Sequence, residues 1–147
     1  MQAVRALLLE YGEIRRFDVA LGDFEGELAG LPGKYVAPEG GLLLATWEGL
    51  PAGCVAFRRI DTTHCEMKRL FVRPAYRGKG LGQALVAAVV AAARAAGYGF
   101  MRLDTHPSMQ AALALYQAAG FIEIDRYNDN PTPDIRFFEL ELEAKST

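Results

Sequence analysis

The segment KRLFVRPAYRGKGLG, residues 68–82, decides the fold of this chain. An extended apolar run, Lys68–Val72, leads through a short turn into the glycine-rich loop Arg77–Gly82. A long alanine-rich helix, predicted over Gln83–Ala96, begins directly after the loop. The first N–H groups of a helix have no partner inside the helix, and the helix dipole favours negative charge at that end. A strand, a glycine loop and a helix start in this order therefore predict an anion site built from backbone.

The composition of the loop narrows the anion to a phosphate. Gly78, Gly80 and Gly82 carry no Cβ, so a phosphate can approach the main chain closely and the loop can adopt positive φ angles. Arg77 and Lys79 add two positive charges inside the same loop. A solvated basic turn is the simpler alternative, but the strand before the loop and the helix after it favour phosphate binding.

Comparison with known phosphate loops reduces the choice of ligand. The glycines fit neither the Gly-x-x-x-x-Gly-Lys-Ser/Thr loop of magnesium-NTP enzymes nor the Gly-x-Gly-x-x-Gly loop of dinucleotide-binding proteins. They do fit Arg/Gln-x-x-Gly-x-Gly/Ala, as Arg77-x-x-Gly80-x-Gly82. With LFV at residues 70–72 and LYQAAGF at residues 115–121, this loop resembles the GNAT superfamily of N-acetyltransferases over about residues 42–142.

The resemblance implies an α/β fold with a central, twisted, mixed sheet of about six strands flanked by helices. An antiparallel half meets a parallel half between the strands at 65–72 and 100–105, which splay apart. In the family, the pantetheine arm of coenzyme A fills the resulting V as a pseudo-strand. Family members usually open with a strand before the first helix. Here Met1 leads almost directly into a helix, so we expect either that the sheet lacks this edge strand or that the true start lies upstream.

Hydrophobic periodicity and turn residues predict the individual elements. Asp23 is the expected N-cap of the second helix, and Gly97 and Gly120 are expected helix stops. The turn between the first two strands is predicted over Glu48–Pro51. Besides the helix at 83–96, the predicted helices are Ala3–Tyr11, Phe24–Leu31 and a helix that begins at Pro107. The predicted strands are Leu42–Trp47, Ala52–Ile60, Cys65–Val72, Phe100–Thr105, Phe121–Asp125 and Arg136–Glu143.

The reaction implied by the resemblance is direct transfer of an acetyl group from acetyl-CoA to an amine. At pH 7 only about one alkyl amine in two to three thousand is deprotonated, so making it nucleophilic costs about 4–5 kcal/mol. Glu66, on the strand that borders the thioester, is the candidate base. The alternative is a structural ion pair of Glu66 with Lys68 or with a cation on a neighbouring strand. A β-bulge in this strand, frequent in the family, would change which face its residues occupy.

The family's tyrosine in the LYQAAGF motif, here Tyr116, protonates the departing CoA thiolate. The position seven residues before it is often an asparagine that contacts the cofactor arm, and in this chain it is Met109. We therefore predict Tyr116 and Glu66 as the catalytic residues. The predicted cofactor-binding residues are Leu70, Phe71, Val72, Arg77, Gly78, Lys79, Gly80, Leu81, Gly82, Met109 and Tyr116.

Other polar residues carry weaker signals. His64 and His106 have no companion at metal or triad spacing, so surface or capping roles are expected for both. Asp104 is expected to be structural. Cys54 and Cys65 fall within predicted strands, without a Cys-x-x-Cys pattern, and are expected to be buried, reduced thiols rather than metal ligands.

Length and charge bound the remaining possibilities. A chain of 147 residues predicts a single domain, 1–147, with acetyl-CoA as co-substrate and no metal. A formal net charge of -2 gives no electrostatic footprint for nucleic acid or an anionic membrane. No signal peptide or transmembrane run is present, so a cytoplasmic location is expected. A homodimer remains open.

Two other functions compete with the enzyme. A non-catalytic acyl-CoA-binding module would keep the phosphate loop but would need neither Tyr116 nor Glu66. Nucleotide binding on a doubly wound sheet is disfavoured by the antiparallel hairpin predicted over Leu42–Ile60, ahead of the loop. The amine, whether a small molecule, an amino acid or a protein amino group, is not encoded in a readable motif, because the surfaces at 15–40 and 126–135 carry mixed charge.

Overall fold

The computed structural model describes residues 2–15, 27 and 29–142 of the chain. Three α-helices and six strands have their bounds within these residues, and a short 3-10 helix, Pro74–Tyr76, precedes the second α-helix. In chain order the elements are α1 (Gln2–Arg15), β1 (Gly41–Trp47), β2 (Leu50–Arg59), β3 (His64–Val72), α2 (Leu81–Ala95), β4 (Phe100–Thr105), α3 (Gln110–Ala119), β5 (Ile122–Ile124) and β6 (Arg136–Glu141).

The six strands form one mixed sheet in the order β1-β2-β3-β4-β6-β5, which confirms the predicted sheet. The β3–β4 pair is parallel, as expected across the intervening helix, and the other four pairs are antiparallel. Helices α2 and α3 pack on one face, called here the α2–α3 face, where they bury the main core. Helix α1 packs on the opposite face, the α1 face, against Cys54 and Phe71.

The parallel pairing of β3 with β4 is short. It covers His64↔Phe100, Cys65↔Met101 and Glu66↔Arg102, and it ends there. Strand β3 continues to Val72 and β4 continues to Thr105, so the two strands separate over their last residues. The predicted splay is therefore present, and the edge of β3 beyond Glu66 faces β4 without pairing to it.

Strand β3 also contains a β-bulge, the feature that the sequence left open. Cys54 pairs with Phe71 but Ala56 pairs with Lys68, so β3 carries one extra residue at this point. Arg69 occupies the bulge with a φ angle of 61°. The bulge shifts the alternation of side chains by one residue. As a result Lys68 and Phe71 share the α1 face, while Leu70 turns to the α2–α3 face.

The turn between β1 and β2 is tighter than predicted. Trp47 pairs with Leu50, so the turn consists of Glu48 and Gly49 alone rather than Glu48–Pro51. Both residues have positive φ angles, 52° and 82°, as a two-residue type I′ hairpin turn requires. Pro51 lies within β2 beside the irregularity in the pairing, a position at which a strand tolerates proline.

Two helix starts differ from the predictions. Helix α2 begins at Leu81, with Gly80 as its left-handed N-cap, so the last residues of the predicted loop already belong to the helix. Helix α3 begins at Gln110 rather than at Pro107. The residues before it form a turn in which Met109 N–H donates to the His106 carbonyl, and the imidazole Nδ1 of His106 accepts from Ser108 N–H. The His106 ring therefore fixes the turn before α3 but does not cap the helix, because the N-cap is Met109 and no side chain caps it.

The predicted first helix and the six predicted strands are present, most of them with shifted ends. Helix α1 extends to Arg15, beyond the predicted Tyr11. Residues 23–26 and 28 of the predicted second helix and its cap, and Glu143 at the predicted end of the last strand, lie outside the described residues. Cys54 and Cys65 are buried and unpaired, and burial raises the pKa of each thiol to about 12. None of the described helices is long and apolar enough to cross a membrane.

Candidate active site

A cavity of about 500 Å³ adjoins the glycine loop, between the ends of β3, α2 and α3. Its walls come from the last residues of β3, the loop, and the start of α3. Nine of the predicted cofactor-binding residues line it. They are Leu70, Phe71, Val72, Arg77, Gly78, Gly80, Leu81, Gly82 and Met109. Tyr11 of α1 also lines this cavity, and no local sequence motif predicted that it would.

The glycines of the loop serve two different purposes. Gly78 and Gly80 both have a φ angle of 81°, and a Cβ at either would meet no atom within 4 Å, so only backbone faces the cavity there. Gly82 is inside α2, where a Cβ would approach Leu115 of α3 to 2.8 Å. Gly82 therefore allows α2 and α3 to pack closely, which brings the two helix starts to the same cavity.

Backbone N–H groups of residues 78–83 are the exposed donors of this loop. Within the described part of the chain none of them donates to a protein acceptor. Arg77 anchors the loop to the strand, because its Nε donates to the Val72 carbonyl at 3.1 Å. Lys79 is not on the cavity wall; its ammonium lies 5.1 Å from the centre of the Trp47 ring. The donor set that faces the cavity is thus mainly backbone, with Arg77 as the adjoining cation.

A second, smaller cavity of about 60 Å³ lies in the gap between β3 and β4. Tyr11, Leu70 and Met109 line both cavities, which makes them neighbours in space. The other residues of the smaller cavity come from β3, β4 and α3. They are Met67, Lys68, Arg69, Leu103, Asp104, Thr105 and Tyr116.

Tyr116 reaches this gap from α3. It is 5 % exposed and packs edge-on against Phe121, with ring centroids 5.9 Å apart. Within the described residues its hydroxyl makes no hydrogen bond, although a buried tyrosine hydroxyl normally has a partner. Burial, together with the nearby Tyr11 and Asp104, raises the pKa of Tyr116 above its ordinary value of 10.0. The hydroxyl therefore holds its proton firmly and faces a cavity that could supply the missing partner.

Glu66 lies outside both cavities. Its side chain is 1 % exposed, and Arg58 donates to its Oε1 from Nε and Nη2 at 3.0 and 2.8 Å. Tyr127 donates to its Oε2 at 2.6 Å. The parallel and antiparallel registers align Arg58, Glu66, Arg102 and Glu139 as a ladder of alternating charge across four strands. These contacts favour the ion-pair alternative for Glu66 that the sequence left open.

Asp104, expected to be structural, is on the wall of the smaller cavity with Tyr116. Its Oδ2 accepts hydrogen bonds from the amides of Asn128 and Asn130, at 2.7 and 3.2 Å. Those asparagines belong to the polar loop between β5 and β6, which they fasten to the α1 face. Sequence spacing alone did not reveal this site, because the loop and the strand are more than twenty residues apart.

His64 remains away from both cavities. Its Nδ1 lies 2.9 Å from the Asp61 carboxylate, and its ring stacks on Phe100 with centroids 5.1 Å apart. It therefore helps to fix the β2–β3 turn, in line with its expected surface role. Among the described residues, no group of three or more His, Cys, Asp or Glu side chains could hold a metal ion.

Comparison with known proteins agrees with this geometry. Residues 3–121 match the sequence profile of the family described as "Acetyltransferase (GNAT) family". An uncharacterized N-acetyltransferase from Schizosaccharomyces pombe is 36 % identical over 140 residues, which cover 94 % of this chain and 86 % of that protein.

Solved structures show the same fold. A GNAT-family acetyltransferase from Staphylococcus aureus superposes with a TM-score of 0.80 at 21 % identity, covering 97 % of this chain and 92 % of that one. YncA from Salmonella typhimurium, solved with its cofactor acetyl-CoA, has a TM-score of 0.76 at 19 % identity, covering 99 % and 90 %.

Proposed function

This chain belongs to the GNAT acetyltransferase family, and we propose that it transfers an acetyl group from acetyl-CoA to a primary amine by direct attack. One observation carries the proposal. Within the described residues, the glycine loop, whose backbone N–H groups have no protein acceptor, and the last residues of β3 line one cavity, and Tyr116 lines a second cavity that shares three residues with the first. Such an arrangement offers one site for phosphate, one for an amide-bearing arm and one for a proton donor.

The residues of the larger cavity fit coenzyme A. A pyrophosphate can accept hydrogen bonds from the amides of residues 78–83, with Arg77 beside it. The unpaired edge of β3 offers backbone partners to the amides of a pantetheine arm. At the opposite wall Met109, held by a 3.8 Å contact from Thr105 Oγ1 to its sulfur, gives an apolar surface where an asparagine is frequent in relatives. Lys79 is then a cation at the edge of the loop rather than a ligand of the phosphates.

Tyr116 is proposed as the proton donor. Bound acetyl-CoA supplies the acetyl group as a thioester. As the amine nitrogen bonds to the acetyl carbon, the carbon–sulfur bond breaks and the sulfur leaves with the electron pair. Tyr116 can hold its proton until that moment because burial raises its pKa, and it can donate the proton to the departing thiolate. The amine loses a proton in the same reaction, so the net charge balances.

The route of the amine's proton is a separate proposal. The sequence predicts Glu66 as the base, but both of its oxygens accept hydrogen bonds from other side chains and solvent does not reach it. Asp104 lines the smaller cavity together with Tyr116, whereas Glu66 lines neither cavity. We therefore favour Asp104 as the residue that binds the amine and accepts its proton. Glu66 then has a structural role in the sheet.

A non-catalytic acyl-CoA-binding module is the second candidate. The Tyr116 hydroxyl, which has no hydrogen-bond partner among the described residues, argues for the enzyme, because a binding module gains nothing from an unsatisfied polar group in its core. The test combines calorimetry with acetyl-CoA and release of free thiol in the presence of amines, amino acids, peptides and polyamines. Binding together with acceptor-dependent thiol release is expected. Binding without thiol release from any acceptor would favour the module.

A further inference from the structure

We propose that the acceptor is a free α-amino acid, bound by its ammonium to Asp104 and by its carboxylate to Lys68. This inference rests on the proposed acetyl transfer and adds the substrate class to it. The two side chains line the small cavity in the gap between β3 and β4, together with Tyr116.

Lys68 and Asp104 occupy equivalent positions on the separating strands. The last paired residues are Glu66 and Arg102, and the register is parallel. Lys68 and Asp104 each follow two residues later, before the bulge at Arg69, so both point to the α1 face. Had the pairing continued, they would lie opposite each other as a cross-strand ion pair.

The splay prevents that ion pair from forming. No contact of 4.0 Å or less joins the Lys68 ammonium to the Asp104 carboxylate, although both side chains lie within the described part of the chain. An ammonium and a carboxylate are thus held on opposite walls of one cavity of about 60 Å³. Opposite charges kept apart in a partly buried gap favour a ligand that carries the complementary pair of charges.

Both side chains retain hydrogen-bonding capacity toward the gap. The Lys68 ammonium has one ion pair within the described residues, a long one of 3.9 Å to Glu66 Oε1, an oxygen that Arg58 already holds with two shorter contacts. Asp104 uses Oδ2 for Asn128 and Asn130, and among the same residues its other oxygen accepts no hydrogen bond. An ammonium has three donors and a carboxylate has about four acceptor positions, so each can bind a further group.

The neighbouring charges are already matched. Arg69 donates from Nε and Nη2 to the two oxygens of Glu27, at 2.8 and 2.9 Å. Arg102 donates to Glu139 at 2.8 Å. Among the described residues that line the gap, the charged side chains with remaining hydrogen-bonding capacity are therefore Lys68 and Asp104, one cation and one anion.

An α-amino acid fits this arrangement better than the other acceptor classes. Its ammonium and carboxylate are attached to a single carbon, so one small molecule can meet both walls. A polyamine would bring a second positive charge toward Lys68. The N-terminus of a peptide would present a neutral amide to Lys68 in place of a carboxylate. The side chain of the amino acid would extend out of the small cavity.

The experiment compares matched acceptors with acetyl-CoA, using the full chain and release of free thiol. The set contains L-amino acids, their carboxamides, the corresponding decarboxylated amines, short peptides and spermidine. A charge-assisted hydrogen bond contributes about 1.5–3 kcal/mol, so kcat/KM should be about 10–100-fold higher for amino acids than for their carboxamides. The difference should lie mainly in the KM of the acceptor.

Variants locate the effect. Lys68→Gln should abolish the preference for the free carboxylate while the affinity for acetyl-CoA stays unchanged, and Lys68→Arg should retain most of it. Asp104→Asn should lower activity toward every amine. Arg59→Gln is the control, because Arg59 forms a surface ion pair with Glu39 and lines neither cavity. A melting curve of each variant separates misfolding from a local effect.

The outcomes distinguish this inference from the proposed function. Carboxamides, peptides or polyamines that react as well as amino acids would overturn the amino-acid class and leave the acetyltransferase intact. An unchanged preference in a folded Lys68→Gln variant would also overturn it. Thiol release from no acceptor at all, with acetyl-CoA bound, would overturn both proposals.

Discussion

The two sides of the gap between β3 and β4 present different chemical groups. On the α2–α3 face the larger cavity presents backbone N–H groups of the glycine loop and apolar side chains. On the α1 face the gap is bordered by charged side chains of β3 and β4, and the asparagines of the β5–β6 loop bind Asp104 there. Backbone recognition depends on a short local pattern, whereas side-chain recognition depends on which residues the sheet brings together. The first is therefore readable in a sequence and the second is not.

Tyr116, at the junction of the two sides, should give the largest effect. Tyr116→Phe removes one oxygen from a buried side chain that makes no hydrogen bond within the described residues, so the fold should be unaffected. General acid catalysis contributes about 10²–10⁴-fold, and kcat should fall by a factor in that range. Affinity for acetyl-CoA, measured by calorimetry, should change little.

The matched control for Tyr116 is Tyr98→Phe. Tyr98 is also buried but donates to the Glu39 carbonyl at 2.6 Å, away from both cavities. Its loss should lower stability and leave kcat nearly intact. Full activity of Tyr116→Phe, with chemistry shown to limit the rate, would mean that Tyr116 is not the proton donor.

A substitution of Glu66 tests whether this carboxylate stabilises the sheet or acts in catalysis. Glu66→Gln keeps the shape of the side chain but leaves Arg58 facing a neutral group in a buried ladder. Removing one partner of a buried ion pair costs about 3–5 kcal/mol, and we expect the lower end because the Arg58 side chain is 31 % exposed. Urea unfolding should report the loss. The pH–rate profile of the folded variant should match the wild type.

A changed pH–rate profile of Glu66→Gln would instead support Glu66 as the general base. If Glu66 removes the amine's proton, the variant should lose rate near neutral pH and recover part of it at high pH, where more of the amine is already deprotonated. A normal stability with such a profile would place the catalytic carboxylate in the ladder and not at Asp104. Asp104→Asn, measured in parallel, separates the two carboxylates.

The sequence predicted the individual elements well because their signals are local, whereas the mixed sheet was implied by the family resemblance. The glycine loop, the alternation in the strands and the stop at Gly120 depend on neighbouring residues, and each is present in the structure. The start of α3 was misplaced because Pro107 suggested a first helical turn, whereas His106 folds back on Ser108.

The acceptor side escaped prediction for a physical reason. Whether Lys68 faces Asp104 depends on the parallel register and on the position of the bulge at Arg69, which are properties of the assembled sheet. The partners of Glu66 likewise come from β2 and from a loop about sixty residues away. No pattern within β3 specifies those contacts.

A substitution at Gly80 tests whether the backbone N–H groups of the glycine loop bind phosphate. Gly80→Val forces a branched side chain into a left-handed position at the phosphate loop, where a Cβ meets no protein atom. Acetyl-CoA affinity should fall about tenfold or more, because the side chain occupies the space in front of the backbone N–H groups. Gly97→Val is the matched control: its φ angle of 97° gives similar strain in equally open space, just past the other end of α2. Equal acetyl-CoA affinity for the two variants would move the phosphate site elsewhere.

The smallest expected effect concerns the ion pair that secures the acceptor side. Glu27 binds Arg69 in the bulge, and Tyr35 donates to Glu27 at 3.0 Å. Burial alone would raise the pKa of Glu27, but the hydrogen bonds and charge of Arg69 outweigh it and hold the pKa below its ordinary value of 4.5. A carboxyl with a lowered pKa in the folded state stabilises the protein above pH 4.5. That contribution is lost as the pH falls through the folded-state pKa.

Glu27→Gln should therefore lower the free energy of unfolding by about 1 kcal/mol at pH 7, and the gap from the wild type should close below pH 4.5. Glu123→Gln is the matched comparison. Glu123 also receives two hydrogen bonds from one arginine, Arg136, but in a solvent-exposed pair. Because water and salt screen an exposed pair, its loss should be smaller and should disappear in 1 M salt. Urea unfolding of both variants at pH 7 and pH 4 measures this. Equal losses would mean that partial burial does not strengthen the Glu27–Arg69 ion pair relative to an exposed one.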